Sequence, residues 1–131
     1  MSRWTTLDRV VEIDPEKRAT GLRNVPNTLS IFDSHFPRFP VMPGVLILGS
    51  LAALAGRLLS QRTGKPWRLA RAETVRFRHF VQPGDQMALS VDLKEFSPTA
   101  AVFSASVKVD DKVVSTARAL RMVPQDGTAG A

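Results

Sequence analysis

His35, one of the two histidines of the chain, stands in a proline-rich stretch that contains Pro37, Pro40 and Pro43 and ends at Gly44. Each X-Pro step pushes the preceding residue towards extended geometry, so this stretch is predicted to be a stiff loop. An imidazole that is neutral near pH 7 can take up a proton and serve as a general base. His35 is therefore the first candidate for acid–base chemistry, and a structural role for a loop histidine is the alternative.

A helix is predicted to follow this loop directly. Pro43 suits the first helical position, and no proline recurs before Pro66. Residues 45–59 are almost all apolar, and a helix that is apolar on every side is a buried helix. The free N–H groups at its start, at Gly44 and Val45, act with the helix dipole to favour negative charge that develops in front of them.

Strands are predicted on both sides of this helix, because apolar and polar residues alternate there. The first two cover 6–13 and 18–25, a short helical turn covers 28–34, the helix runs to about residue 62, and four more strands cover 67–80, 87–96, 101–109 and 113–123. This order predicts an α+β fold in which one curved antiparallel sheet of five or six strands wraps one long helix. We expect a single domain over residues 1–123 and a flexible C-terminal tail over 124–131.

Composition limits the classes of function. The 131 residues are 44% hydrophobic and 23% charged, which is typical of a globular domain. The absence of cysteine excludes disulfides, thiolate metal sites and cysteine nucleophiles, and it fits a reducing, cytoplasmic location. The first apolar run lies too far along the chain for a signal peptide. Glycines, a proline and an arginine interrupt the run over 41–59, so we expect no membrane span.

The net charge of +6 favours an acidic partner, and the basic residues concentrate at Arg68, Arg71, Arg76 and Arg78. This cluster is either the solvated face of a strand or a docking patch. Nucleic-acid binding ranks last, because no recognised aromatic and basic motif accompanies the arginines. His79, at the end of a strand, is expected at the surface.

The motif HFPRFPVMPGVLIL over residues 35–48 resembles the signature of the 3-hydroxyacyl-acyl-carrier-protein dehydratases of the FabZ and FabA type, which have the hot-dog fold. The segments LDRV at 7–10, RFR at 76–78 and VQPGD at 81–85 are similar to further segments of that family. The resemblance covers roughly residues 7–123, and the spacing between HFP and MPG is its most specific part.

The resemblance implies removal of water from a 3-hydroxyacyl thioester to give a trans-2-enoyl thioester. The acyl chain rides on the phosphopantetheine arm of a small acidic acyl carrier protein, and no other cofactor and no metal are implied. The family's site lies between two subunits, with a histidine from the loop of one and a carboxylate from the helix of the other. His35 matches that histidine. The expected substrate-binding residues are Gly44 and Val45, through their N–H groups, for which an ordinary helix start is the alternative. Pro43, Phe36 and Met42 are expected to bind substrate as well, and core packing is the alternative for Phe36 and Met42.

The family's carboxylate position holds Gly49, which is followed by Ser50. Glycine can act neither as an acid nor as a base, and no Asp or Glu occurs between Asp33 and Glu73. Ser50 can hold a water but cannot replace a carboxylic acid. Close packing of two helices is the alternative explanation for both small residues.

Three functions remain open for a chain that we expect to be at least a dimer, with a higher oligomer as the alternative. The chain is one half of a heterodimer with a related hot-dog chain that supplies the carboxylate, or it is a homodimeric acyl-thioester enzyme with altered chemistry, such as a thioesterase. The third possibility is a non-catalytic protein that binds acyl carriers. A neighbouring gene for a similar chain that keeps the carboxylate would favour the first.

Overall fold

The computed structural model describes residues 7–25 and 44–125, with the backbone alone at Val45. The predicted turn over 28–34 and the proline-rich loop lie outside these ranges. Within them the chain forms one helix and six strands in the predicted order. The elements are β1 (Arg9–Asp14), β2 (Arg18–Asn24), α1 (Gly44–Thr63), β3 (Trp67–Phe77), β4 (Gln86–Ser97), β5 (Ala100–Val109) and β6 (Lys112–Pro124).

The six strands form one sheet in the order β1-β2-β4-β5-β6-β3, and every neighbouring pair is antiparallel. The pairing register shifts within β1, β3 and β4 and twice between β5 and β6. Such bulges bend a strand and increase its twist, so they curve the sheet. Helix α1 packs against five of the strands, which confirms the predicted α+β fold.

The core lies between α1 and the inner face of the sheet. Along the helix, Ile47, Leu51, Leu54 and Leu58 recur at the spacing of one helical face and are buried. Alternate residues of the strands complete the core, among them Met87, Leu89, Val91, Phe103, Val107 and Leu120. A fully buried side chain of this size contributes roughly 1.5–3 kcal/mol relative to an exposed one, so this layer dominates the stability of the chain.

The opposite side of α1 is less covered than its apolar sequence predicts. Leu46 and Leu48 are half-buried, and Arg57, Gln61 and Arg62 are exposed. A single sheet can cover only one face of a helix, so the opposite face of α1 is not covered by this sheet. Within residues 7–25 and 44–125, no helix is long and apolar enough to cross a membrane.

The turns follow from their residue types. Asp110 and Asp111 both have left-handed backbone angles, with φ of 53° and 64°, between the paired residues Val109 and Lys112. This is the two-residue turn that suits a twisted hairpin. Gly64, with φ of 77°, ends α1 and donates its N–H to the carbonyl of Ser60 at 2.8 Å, as the glycine after the helix predicts.

Strand β6 ends at Pro124, one residue beyond the predicted domain boundary at 123. The N–H of Gln125 donates to the carbonyl of Pro66 at 2.8 Å, so this residue too is held against the fold. Residues 126–131 lie outside the described ranges, and a flexible tail there stays a prediction.

Candidate functional site

The start of α1 lies against the end of β3. Gly44 is the first residue of the helix and Phe77 the last of the strand. A Cβ atom at position 44 would lie 2.7 Å from Cζ of the Phe77 ring, closer than a real Cβ atom approaches another side chain. Glycine at position 44 therefore allows the helix to begin directly under the aromatic ring.

The other end of β3, at Trp67, contacts the last residue of the helix, Thr63. The indole N–H of Trp67 donates to Thr63 Oγ1 at 2.9 Å. Helix α1 and strand β3 thus run in opposite directions over about 30 Å. We call the region of Gly44, residues 76–80 and residues 112–114 the Phe77 end. Residues 112–114 belong to this region because the N–H of Arg78 donates to the carbonyl of Val114 at 2.8 Å. The opposite region, around Thr63 and Trp67, is the Trp67 end.

A buried polar pair joins α1 to β2 at the second turn of the helix. Arg23 donates from Nη1 to Ser50 Oγ at 2.8 Å. Arg23 is 3% exposed and Ser50 is 0% exposed. A guanidinium has donors only, so the serine oxygen must accept this bond, and its own proton is left to donate elsewhere.

Burial shapes the electrostatics of this pair. Desolvation lowers the pKa of the Arg23 guanidinium below its ordinary value, and the nearby negative charge of Asp8 opposes that shift. An arginine remains charged nonetheless, because its ordinary pKa lies far above neutrality. A cation is therefore held inside the fold, next to the helical turn that carries Gly49.

Gly49 has no side chain and contributes only backbone atoms to this turn. Gly49 is half-buried and directly precedes Ser50. None of the 20 residues of α1 is Asp or Glu. The helix therefore offers N–H groups that can stabilise developing negative charge, and it offers no carboxyl group that can give or take a proton.

Four of the predicted site residues lie on helix α1. Gly44, the backbone of Val45, Gly49 and Ser50 all lie in the first two turns of α1. The remaining predicted residues lie outside the described ranges, and their roles stay predictions. They are His35, Phe36, Met42 and Pro43, together with the side chain of Val45.

Sequence reasoning missed Arg23 and Phe77. The period-two pattern of β2 contained the signal for Arg23, because Ala19, Gly21 and Arg23 alternate on one face and all three are buried. An arginine in a strand normally suggests the solvent face, which is why it was overlooked. The contact of Phe77 with Gly44 joins residues far apart in sequence, and no local pattern predicts it.

All four residues of the predicted arginine cluster are exposed, as is His79. The cluster extends along β3 and, at Arg78, one residue beyond its end. Arg68 lies at the Trp67 end, and Arg71 contacts Glu73 Oε2 from Nε at 3.2 Å. Arg76 and Arg78 stand on either side of Phe77. The cluster therefore consists of two separate pairs.

Comparisons with known proteins bear on the family and on the fold. The family model described as a FabA-like domain matches residues 2–118. A FabZ 3-hydroxyacyl-[acyl-carrier-protein] dehydratase of Rickettsia bellii is 38% identical over 121 residues, covering 89% of this chain and 83% of the relative. The FabZ of Exiguobacterium sibiricum is 40% identical over 114 residues, covering 85% of this chain and 81% of that protein.

Solved structures share the fold at lower identity. A chain of the ApeI:P dehydratase heterocomplex from Xenorhabdus doucetiae superposes with a TM-score of 0.71 at 22% identity, covering 89% of this chain and 96% of that one. A Streptococcus mutans protein solved with acetyl CoA gives a TM-score of 0.71 at 14% identity, with coverages of 89% and 87%. These likenesses show the fold.

Proposed function

Because this chain belongs to the family of FabA-like and FabZ-type dehydratases, we propose that it helps to remove water from 3-hydroxyacyl thioesters of an acyl carrier protein. The pathway would be fatty acid or polyketide-type biosynthesis. The observation that carries the detailed form of the proposal is the composition of α1. This helix has a glycine at position 49 and no acidic residue, so the chain supplies one half of a two-chain site.

The proposed mechanism assigns each step to a residue. His35 of this chain takes the α proton of the 3-hydroxyacyl thioester, and the electron pair moves towards the thioester carbonyl. The N–H groups of Gly44 and Val45 at the start of α1 stabilise the resulting enolate oxygen. The electron pair then returns to form the double bond, and the β hydroxyl leaves as water with a proton from a carboxylic acid on the partner's helix.

We propose a related hot-dog chain as the partner that supplies this acid. Two observations support a site shared by unlike chains. Position 49 lacks a side chain, and a dehydratase of this fold, from Xenorhabdus doucetiae, is described as a heterocomplex. A homodimer with altered chemistry and a non-catalytic acyl-carrier binder are the alternative outcomes of the test below.

The test reconstitutes a complete site from two forms of this chain. The wild-type chain has His35 and lacks the carboxylate, whereas the double variant His35→Ala, Gly49→Glu has the carboxylate and lacks the histidine. Each form is assayed alone, and both are then co-expressed so that their subunits mix. Enoyl product from a 3-hydroxyacyl carrier substrate is expected only from the mixture, because only there do histidine and carboxylate meet.

The single variant Gly49→Glu is the control for folding and assembly, since it holds both groups in every subunit. If the wild-type chain alone is as active as the mixture, the shared site is wrong and another group does the work of the acid. Thioester hydrolysis by the wild-type chain would favour the altered enzyme. If Gly49→Glu assembles and still produces no enoyl thioester, the proposed chemistry fails.

We also propose that the protein works in the cytoplasm, since a chain without cysteine suits a reducing compartment. Fractionation of host cells, followed by detection of the protein outside the cytoplasmic fraction, would contradict this.

A further inference from the structure

Arg23 projects from the inner face of β2 towards helix α1. The neighbouring inner position lies against Leu54, because a Cβ atom at Gly21 would be 3.3 Å from Leu54 Cδ1. Arg23, two residues further along the strand, contacts Ser50, which lies about one helical turn before Leu54. Strand β2 therefore runs antiparallel to the helix, and Arg23 is displaced from Gly21 towards the helix start.

The guanidinium of Arg23 lies close behind the N–H groups at the start of α1. Ser50 is separated from Gly44, the first residue of the helix, by a rise of about 9 Å along the axis. Helical side chains tilt towards the N-terminus of their helix, so Ser50 Oγ lies nearer still to the helix start. A positive charge at this place adds to the helix dipole, whose positive end is at the same terminus.

Burial increases the effect of this charge at a distance. Arg23 and Ser50 are both buried. Desolvation lowers the pKa of Arg23, and the charge of Asp8 opposes that shift only in part. Asp8 itself is exposed, and its Oδ2 accepts the N–H of Asn24 at 2.5 Å. Charges in a protein interior are screened less than charges in water, so the field of Arg23 extends to the helix start.

We propose that Arg23 is a positioning residue for the N–H groups of Gly44 and Val45, which bind the enolate oxygen in the proposed mechanism. Its hydrogen bond to Ser50 holds the second turn of α1 against β2. Its buried charge strengthens the attraction of the helix start for the negative enolate. This inference rests on the proposed function and goes beyond it, because it assigns a residue of β2 to one step of the reaction. Arg23 acts through the helix and makes no contact with the substrate.

Enolate formation does not require the partner's acid, so this step can be measured in the wild-type chain alone. The probe is butyryl-pantetheine in D₂O, a saturated thioester that has no β hydroxyl to lose. His35 removes an α proton, the electron pair moves to the carbonyl oxygen, and the enolate then takes up a deuteron at the same carbon. Mass spectrometry of the thioester gives kcat and KM for deuterium uptake, and His35→Ala gives the background rate.

The double variant Arg23→Met, Ser50→Ala removes the cation together with its acceptor on the helix. It should lower kcat for deuterium uptake about tenfold and change KM by less than about threefold, because the charge acts on the enolate more than on the neutral thioester. Arg23→Lys keeps the charge and should retain kcat within about threefold. Arg18→Met is the matched control. It removes an exposed cation, 3.0 Å from Asp92 Oδ1, from the same strand and should change kcat by less than about twofold.

Asp8→Asn distinguishes an electrostatic role of Arg23 from a purely structural one. Asparagine can still accept the N–H of Asn24, but it no longer opposes the buried positive charge. The melting temperature should fall, because a buried cation loses a nearby anion. The rate of deuterium uptake should nevertheless rise, by up to about threefold, because the field at the helix start becomes more positive. A rate that falls together with the melting temperature would contradict the electrostatic role.

The mixture of the wild-type chain with the His35→Ala, Gly49→Glu chain tests which subunit needs Arg23. The proposed mechanism uses the helix start of the chain that supplies His35. On that chain, Arg23→Met, Ser50→Ala should slow the formation of enoyl thioester about tenfold. The same substitutions on the other chain should not slow it, because loss of a neighbouring cation favours the protonated form of a carboxylic acid at position 49. Equal losses from both placements would overturn the inference.

Failure of this inference and failure of the proposed function give different results. If Arg23→Met, Ser50→Ala takes up deuterium as fast as the wild type while the mixture forms enoyl thioester, the role of Arg23 is wrong and the function stands. If uptake depends on Arg23 but neither the mixture nor Gly49→Glu forms enoyl thioester, the function fails and the role of Arg23 stands. Uptake by the wild type no faster than by His35→Ala would overturn the role of Arg23, whatever the mixture does. Thermal unfolding checks that each variant folds, and Asp8→Asn keeps the test decisive if the double variant does not.

Discussion

The two ends of helix α1 are built differently. At the Trp67 end, Leu54, Leu58 and Leu59 are fully buried, and Arg62 lies 4.1 Å from the centre of the Phe96 ring. At the Phe77 end, the first two turns of the helix contain two glycines, two half-buried leucines and the buried pair of Arg23 and Ser50. The first end is filled with large side chains, whereas the second combines the buried side chain of Ile47 with small residues, polar groups and exposed aromatics.

The Trp67 end therefore contributes mainly to stability, whereas the Phe77 end carries residues of the proposed site. Large apolar side chains in a close-packed layer contribute most of the free energy of folding. The proposed site would admit a substrate arm and a second chain, which requires exposed N–H groups and open space, and both reduce packing. The half-buried leucines at the Phe77 end are consistent with a surface that another chain completes. Four sets of substitutions test the contrast.

The largest effect is expected from Gly49→Glu, which places a carboxylic acid on the Phe77 half of the helix. A positioned general acid typically accelerates a reaction 10²–10⁴-fold, so the homodimeric variant should form enoyl thioester faster than the wild-type chain by up to about that factor. The measurement is the initial rate on a 3-hydroxyacyl carrier substrate. Gly49→Gln is the control of equal size without an acidic proton, and an equal gain from it would contradict the interpretation.

Leu54→Ala should cause the largest loss of stability. Truncation of a fully buried leucine costs about 2–5 kcal/mol, because it removes apolar contacts and leaves a cavity. The free energy of unfolding in urea measures this cost. Leu48→Ala, on the half-buried Phe77 half, should cost less. Equal costs would show that the assembled protein packs both halves of the helix alike.

Ser50→Ala removes the acceptor of a buried, charged hydrogen bond from Arg23. Such bonds contribute about 1.5–3 kcal/mol, and we expect a loss of this size in the free energy of unfolding. The matched control is Ser60→Ala on the same helix, whose hydroxyl donates to the carbonyl of Lys65 at 2.9 Å. A neutral bond of that kind contributes about 0.5–1.5 kcal/mol. A larger loss at position 60 would argue against the importance of the buried pair.

The smallest effects come from two glycines of α1 and should have opposite signs. At Gly56 a Cβ atom would lie 3.6 Å from the nearest atom, the carbonyl oxygen of Trp67, so alanine fits and should stabilise the helix by about 0.5–1 kcal/mol. At Gly44 the Phe77 ring must move, and alanine should destabilise the chain by about 1 kcal/mol.

Melting temperatures of both variants measure the difference. The double variant Gly44→Ala, Phe77→Ala should recover part of the loss at position 44, because it removes the ring that the new methyl group meets. If Gly44→Ala alone is as stable as Gly56→Ala, the contact between the helix start and β3 does not constrain this end.

Local patterns in the sequence were enough to predict the elements and the class of fold. Alternation along the strands, the apolar run after Pro43 and the glycine at position 64 predicted the order, the approximate bounds and the antiparallel packing around one helix. The motif around His35 predicted the family, and the same resemblance predicts that Gly49 stands where the family carries a carboxylate. Each of these signals lies within a few consecutive residues, because propensity, periodicity and motif spacing are local properties.

Only the tertiary structure decided which distant residues meet. It paired Arg23 with Ser50 at 2.8 Å, set the Phe77 ring over Gly44 and spread one arginine cluster along β3 and one residue beyond its end. Residue 23 is separated from residue 50, and residue 44 from residue 77, by tens of positions in the chain. Their contacts depend on strand order and on the direction of α1 along β3. Those are set by the packing of the whole core, which no single segment encodes.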